Sequence, residues 1–304
     1  MNLTLHTGAF SSSRDTRTLP VSAKIKEPEA VNRRRLALRR LDRELSKGNH
    51  KRALTLVKQL QGKPGGLRGF GAAKQVPRRI SSLDQLKLGG IDTSSPQYLV
   101  DSILDSIKRS TEFQLTEEVC NLLCILNFYF VQHEAGHFLV GYLLGALPKR
   151  YFVSNMEALM HDEVVGGGVE FIGFEFLTEV SVCCHCFAYF LLQNHGKLMR
   201  DWFHLQALNR FSCVLLGGLV AEHLVFGYSK GLHGDVEELN GVLQWMGFEE
   251  SEVKSHLKWA VMNTLVILVR HQEARSRLAE SMALAKSVGS CIDVIENNLN
   301  AIEL

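Results

Sequence analysis

Residues 130–140 read Phe130-Val131-Gln132-His133-Glu134-Ala135-Gly136-His137-Phe138-Leu139-Val140, an H-E-x-x-H pattern inside an apolar run. On a helix, side chains four residues apart share one face, so His133 and His137 project together. Two imidazoles so placed can each offer one nitrogen to a tetrahedral Zn²⁺, and Glu134 beside the first can take a proton from a zinc-activated water. The flanks suit a helix. Leu122, Leu123, Ile125, Leu126 and Phe128 precede the motif, and the next proline is Pro148. The alternative is a pair of satisfied core histidines. Three ionisable groups in an apolar helix are costly to bury without a partner, and a metal ion offsets that cost.

Downstream of the motif, residues 151–176 contain Gly166-Gly167-Gly168 and then Val169-Glu170-Phe171-Ile172, which predicts a short β-hairpin or edge strand near the site. Such a strand can hold an extended peptide by strand addition. Residues 178–193, 197–226 and 235–245 read as helices, as does a kinked stretch over 251–286. Gly217-Gly218 inside an apolar helix predicts close packing against another helix. The cluster Cys183-Cys184-His185-Cys186 lacks paired metal-ligand spacing and reads as core helix.

Upstream, Ser95-Pro96 opens an amphipathic helix through Leu99, Ile103, Leu104 and Ile107. Residues 63–93, rich in Gly, Lys and Arg, read as a linker. Residues 26–62 read as a basic helical module of two helices. Their apolar positions are Leu36, Leu38, Leu41 and Leu45 on the first and Ala53, Leu54, Leu56, Val57 and Leu60 on the second. Either a docking face or a solvated basic helix accounts for its charge. Residues 1–25 are rich in Ser and Thr, with Asp15 the only acid and no long apolar core. That composition predicts a disordered organellar transit peptide, for a plastid first and a mitochondrion as the alternative.

The 304 residues are 46% hydrophobic, enough for a substantial core. The net charge of +2 hides an asymmetry. Residues 1–80 carry 19 Lys/Arg against 5 Asp/Glu, a net +14, and the remainder carries 15 against 27, a net −12. No aromatic residues interleave the basic ones, which disfavours nucleic acid as a partner. Seven Cys, an odd number mostly in apolar runs, read as free thiols in a reducing compartment.

Three ordered motifs together carry a resemblance over roughly residues 115–285. His133-Glu134-Ala135-Gly136-His137, then Leu216-Gly217-Gly218-Leu219-Val220-Ala221-Glu222 running on to Gly227, then Gly234-Asp235-Val236-Glu237 resemble the peptidase domain of FtsH-type zinc metalloproteases. Met246-Gly247-Phe248 falls where that family has a similar Met and Gly. The resemblance implies a mainly α, helical metallopeptidase domain over residues 94–300, zinc ligands His133, His137 and Asp235, and Glu134 as general base. Glu222 is the rival third ligand, because a Glu on a second helix serves in other zincins. His223 and His233 read as groups behind the ligands or at the surface.

The chain departs from the family in places. No stretch matches G-x-x-x-x-G-K-[ST], so the family's ATPase module is not visible. The loop before Asp235 is short and lacks the family's Thr and Ser-Asn. The resemblance therefore implies a zinc endopeptidase for unfolded or extended polypeptides, with an FtsH-type ATPase as partner and association with a membrane. A non-proteolytic assembly or scaffold protein of FtsH-type complexes is the rival. An intramembrane protease of the site-2 type is a third reading. Its apolar runs 119–130, 180–192, 211–225 and 261–269 each fall short of the roughly 20 residues a span needs.

Overall fold

A computed structural model describes residues 27–73, 100–105, 119–153, 168–172, 202–228 and 233–299. The expected transit peptide, the helix over 178–193 and the Cys183–Cys186 cluster lie outside the described residues. So do most of the linker and all but 100–105 of the amphipathic helix opened by Pro96. The elements in order are α1 (Glu27–Ser46), α2 (His50–Leu60), α3 (Val119–Leu143), β1 (Leu147–Phe152), β2 (Gly168–Ile172), α4 (Trp202–Phe226), α5 (His233–Trp245), α6 (Glu250–Arg270), α7 (Gln272–Ala283) and α8 (Val288–Asn298). The fold is mainly α, with one two-stranded antiparallel sheet among the described residues.

Helix α3 is the axis of the fold. From Val131 to Leu143 its side chains are buried on every side, as a helix apolar all round requires. It packs most extensively against α4, and also against α7, β1, β2 and α6. The α3–α4 crossing is set by glycines. A Cβ on Gly136 would lie 2.2 Å from the Gly217 carbonyl oxygen, so the two backbones meet where no side chain fits. The Gly217-Gly218 pair thus does what its sequence setting predicts.

α3 stops earlier than expected. The chain does not run as helix to Pro148 but turns at Gly145, whose φ is +85°. Gly145 N donates to the Tyr142 carbonyl and Ala146 N to the Gly141 carbonyl, the two bonds of a glycine-terminated helix end. Pro148 lies in β1, at the start of the hairpin. β1 and β2 pair from Leu147↔Ile172 to Phe152↔Gly168, with an irregularity between Pro148 and Arg150. The Phe171 ring of β2 rests on α3 where Gly141 leaves room, one turn beyond His137.

The kink expected within 251–286 is a break at His271 between α6 and α7. α8 was not expected at all. Its N-cap Ser287 accepts from Ser290 N, and Val288, Cys291, Ile292 and Ile295 face the core.

The basic helix pair does not stand apart from the rest. Arg34 is buried and donates to Asp293 of α8 at 2.7 Å, and Arg35 donates to the same carboxylate. Asp42 accepts from Gly289 N and Ser287 Oγ, both at 2.7 Å. The described part of the expected linker, residues 63–73, is packed into the core instead of crossing solvent. Leu67 and Phe70 are buried, and Gly71 N and Ala73 N donate to the carbonyls of Tyr142 and Leu143 at the end of α3. The Glu296 carboxylate is fully buried and accepts from Arg68 N, Gly69 N and the Tyr142 hydroxyl.

Among the described residues one helix, Gln206–Phe226, is long and apolar enough to cross a membrane by length and composition; most of it is buried within the fold.

Candidate metal centre

His133 and His137 lie one turn apart on α3, as the spacing dictates, and α5 brings Asp235 to them from its first turn. A carboxylate there also suits the positive end of the helix dipole. His133 Nε2 and His137 Nε2 are 2.9 Å apart. Asp235 Oδ2 lies 3.1 Å from the first and 3.2 Å from the second. The three atoms form a nearly equilateral triangle. Ligands about 2.1 Å from a tetrahedral zinc ion would be separated by about 3.4 Å.

The remote ring nitrogens decide what the triangle is. His133 Nδ1 is 2.7 Å from Glu222 Oε1, and His137 Nδ1 is 2.7 Å from the Val214 carbonyl oxygen. A carbonyl and a carboxylate only accept, so each neutral ring carries its proton on Nδ1. Both Nε2 lone pairs then face each other and a carboxylate oxygen. With both rings neutral, three acceptors at such distances repel unless a cation, a proton or a metal ion, lies among them. Asp235 Oδ2 is buried and makes no aligned hydrogen bond to either ring. The residues present therefore fit a metal ion.

The titration directions carry the same electrostatics. Burial alone would lower the His133 imidazole, but Asp235 and Glu222 outweigh it and push it up to about 10. Burial likewise opposes the His137 charge, and Asp235 raises it overall. Burial would raise the Asp235 carboxyl, but the two histidines hold it well below the usual carboxylate range. This cluster is built to hold positive charge.

Glu134 follows His133 and is 2% exposed, with Oε2 free of any hydrogen-bond partner. Its carboxyl is raised chiefly by burial, with partial relief from His137 and His133. A raised carboxyl beside a metal site is suited to accepting a proton and passing it on.

Glu222, the rival third ligand, sits behind His133. One of its oxygens meets His133 Nδ1 and the other accepts from the Tyr129 hydroxyl, so both are engaged away from the triangle. The chain Tyr129–Glu222–His133 fixes the ring's tautomer and orientation. Gly218 gives that ring its space, because a Cβ there would lie 2.4 Å from His133 Cε1. His223 is buried, with Nδ1 unpartnered. The His233 side chain lies outside the described residues.

Two contributors escape the motif. Tyr129 lies four residues before His133 and could have been found from that spacing. The Val214 carbonyl leaves no signal, since every residue has one.

No protein-family model, curated protein or solved structure matches this chain.

Proposed function

We propose that the chain is a zinc metalloendopeptidase of the FtsH type that acts on unfolded or extended polypeptides. One observation carries this reading: three acceptor atoms, His133 Nε2, His137 Nε2 and Asp235 Oδ2, converge within 3.2 Å while each histidine's other nitrogen is committed to an acceptor. His133, His137 and Asp235 would hold the ion, and a bound zinc supplies a Lewis acid and an acidified water.

Glu222 and Tyr129 keep the His133 ring in its binding tautomer, and the Val214 carbonyl does the same for His137. Glu134 accepts the proton of the attacking water at its free Oε2 and returns it to the leaving nitrogen. The site opens on the Asp235 side, whose side chain is 22% exposed while those of both histidines are largely covered. Phe171 of β2, seated against Gly141, puts the hairpin one turn from His137, where an extended peptide could add as a strand. Folded substrates must be opened by a partner ATPase. The Ser/Thr-rich, acid-poor residues 1–25 support a plastid location.

The test is cleavage of an unfolded protein by the zinc-loaded full chain, compared with Glu134→Gln. The reading expects cleavage by the wild type and none by the variant, with equal zinc content. Zinc-loaded wild type that leaves unfolded polypeptides intact would overturn the protease and favour an assembly role.

A further inference from the structure

Helix α1 buries Arg34, Leu38 and Leu41 on one face. On the opposite face Leu36, Arg40, Arg43 and Lys47 fall at helical spacings i, i+4, i+7 and i+11, and all four are exposed. Helix α2 buries Ala53 and Val57 and exposes Lys51, Arg52 and Lys58. The two helices pack together, and a groove of about 460 Å³ between them is lined by Arg40, Arg43, Lys47 and Arg52.

The cations of α1 differ in their pairing. Arg33 pairs with Glu29 at the N-terminal end of the outward face, and Arg34 and Arg35 share Asp293 of α8. The outward Arg40, Arg43, Lys47, Lys51, Arg52 and Lys58 have no ion pair among the described residues, and Arg43 reaches only the Arg39 carbonyl. Glu44, the carboxylate in the groove, already accepts from Asn49. Like charges one turn apart repel on a helix, so this face is stabilised when an anionic partner covers it.

We infer that the outward face of α1 and α2 docks on an anionic lipid surface. The charge is complementary, and Leu36, 56% exposed in line with three cations, gives an aliphatic group to bury among headgroups. Neither helix carries Phe, Tyr or Trp for stacking on bases, which sets this face apart from a single-strand nucleic-acid groove. The inference is independent of the metal centre.

The test is flotation of the full chain with vesicles of phosphatidylcholine alone and of phosphatidylcholine mixed with phosphatidylglycerol. Binding is expected only to the anionic vesicles, and it should fall as salt rises. The triple variant Arg40→Gln/Arg43→Gln/Lys47→Gln should bind about a hundredfold more weakly, at about fivefold per charge. Lys51→Gln/Arg52→Gln/Lys58→Gln on α2 tests the same face independently, and Leu36→Ser should weaken binding further. A circular-dichroism melt matching wild type shows that these exposed positions leave the fold intact. Equal binding to both vesicle types, or anionic binding unchanged in both triple variants, overturns the inference. Duplex DNA that displaces the chain from vesicles at equal phosphate concentration would reassign the face to nucleic acid.

Discussion

Each imidazole of the proposed centre holds its proton on the nitrogen turned away from the other, because Glu222 and the Val214 carbonyl can only accept. Removing an outer partner should therefore weaken metal binding without abolishing it. Tyr129→Phe should lower zinc affinity by about tenfold and Glu222→Ala by about 10- to 100-fold, read by competition with a chromophoric chelator. Asp235→Ala should bind no zinc at all in that assay. Chain stripped of metal has its own pH signature. The His133 imidazole is raised to about 10, so its contribution to stability is fully present below its unfolded value near 6.5 and is lost as pH rises through about 10. The melting temperature of chelator-treated protein should fall across that window, and zinc-loaded protein should not follow it, since the metal replaces the proton. At this scale the sequence was readable where spacing carries the geometry. His133 and His137 are fixed by a helical turn, and Glu134 by adjacency. Asp235 came from a resemblance and not from spacing, because a loop and a second helix separate it from the motif. The role of Glu222 as orienter was not readable, since a carboxylate on α4 could equally have faced the triangle.

Helix α3 can hold the site only because α4 comes close enough to press on it. Gly136→Ala would drive a methyl group into the Gly217 carbonyl, 2.2 Å away, and should destabilise the fold by about 1–3 kcal/mol in a denaturant titration. Gly218→Ala separates packing from chemistry. Its Cβ would strike the His133 ring and not the backbone, so zinc affinity should fall further than stability does. Gly217-Gly218 announced a close crossing in the sequence because two glycines in an apolar helix need a reason. Gly136 did not, being hidden within the metal motif itself. Pro148 is the stronger stop signal in the sequence, whereas the positive φ of Gly145 ends α3 first. α8 was missed because its apolar residues span only three turns, although Ser287 supplies an N-cap signal.

The chain closes on itself through Glu296. Its carboxylate holds the loop at Arg68 and Gly69 against the Tyr142 hydroxyl of α3, while Arg34 and Asp42 fasten α1 to α8. Composition alone suggested a linker there, because Gly, Lys and Arg dominate and the two anchors, Leu67 and Phe70, are isolated in sequence. Glu296→Ala would strand three donors and should cost roughly 3 kcal/mol or more by chemical denaturation. A fragment beginning at residue 80 would lose Leu67 and Phe70 from the core, so it should melt well below the full chain. Work on the centre therefore calls for the whole protein. The measurement that tests the central claim most directly is zinc stoichiometry by atomic emission on the full chain, for wild type, His133→Ala, Asp235→Ala and Glu222→Ala. The account predicts one zinc per wild-type chain, none with His133→Ala or Asp235→Ala, and zinc retained at reduced affinity with Glu222→Ala. A folded wild-type chain that takes up no zinc would contradict it.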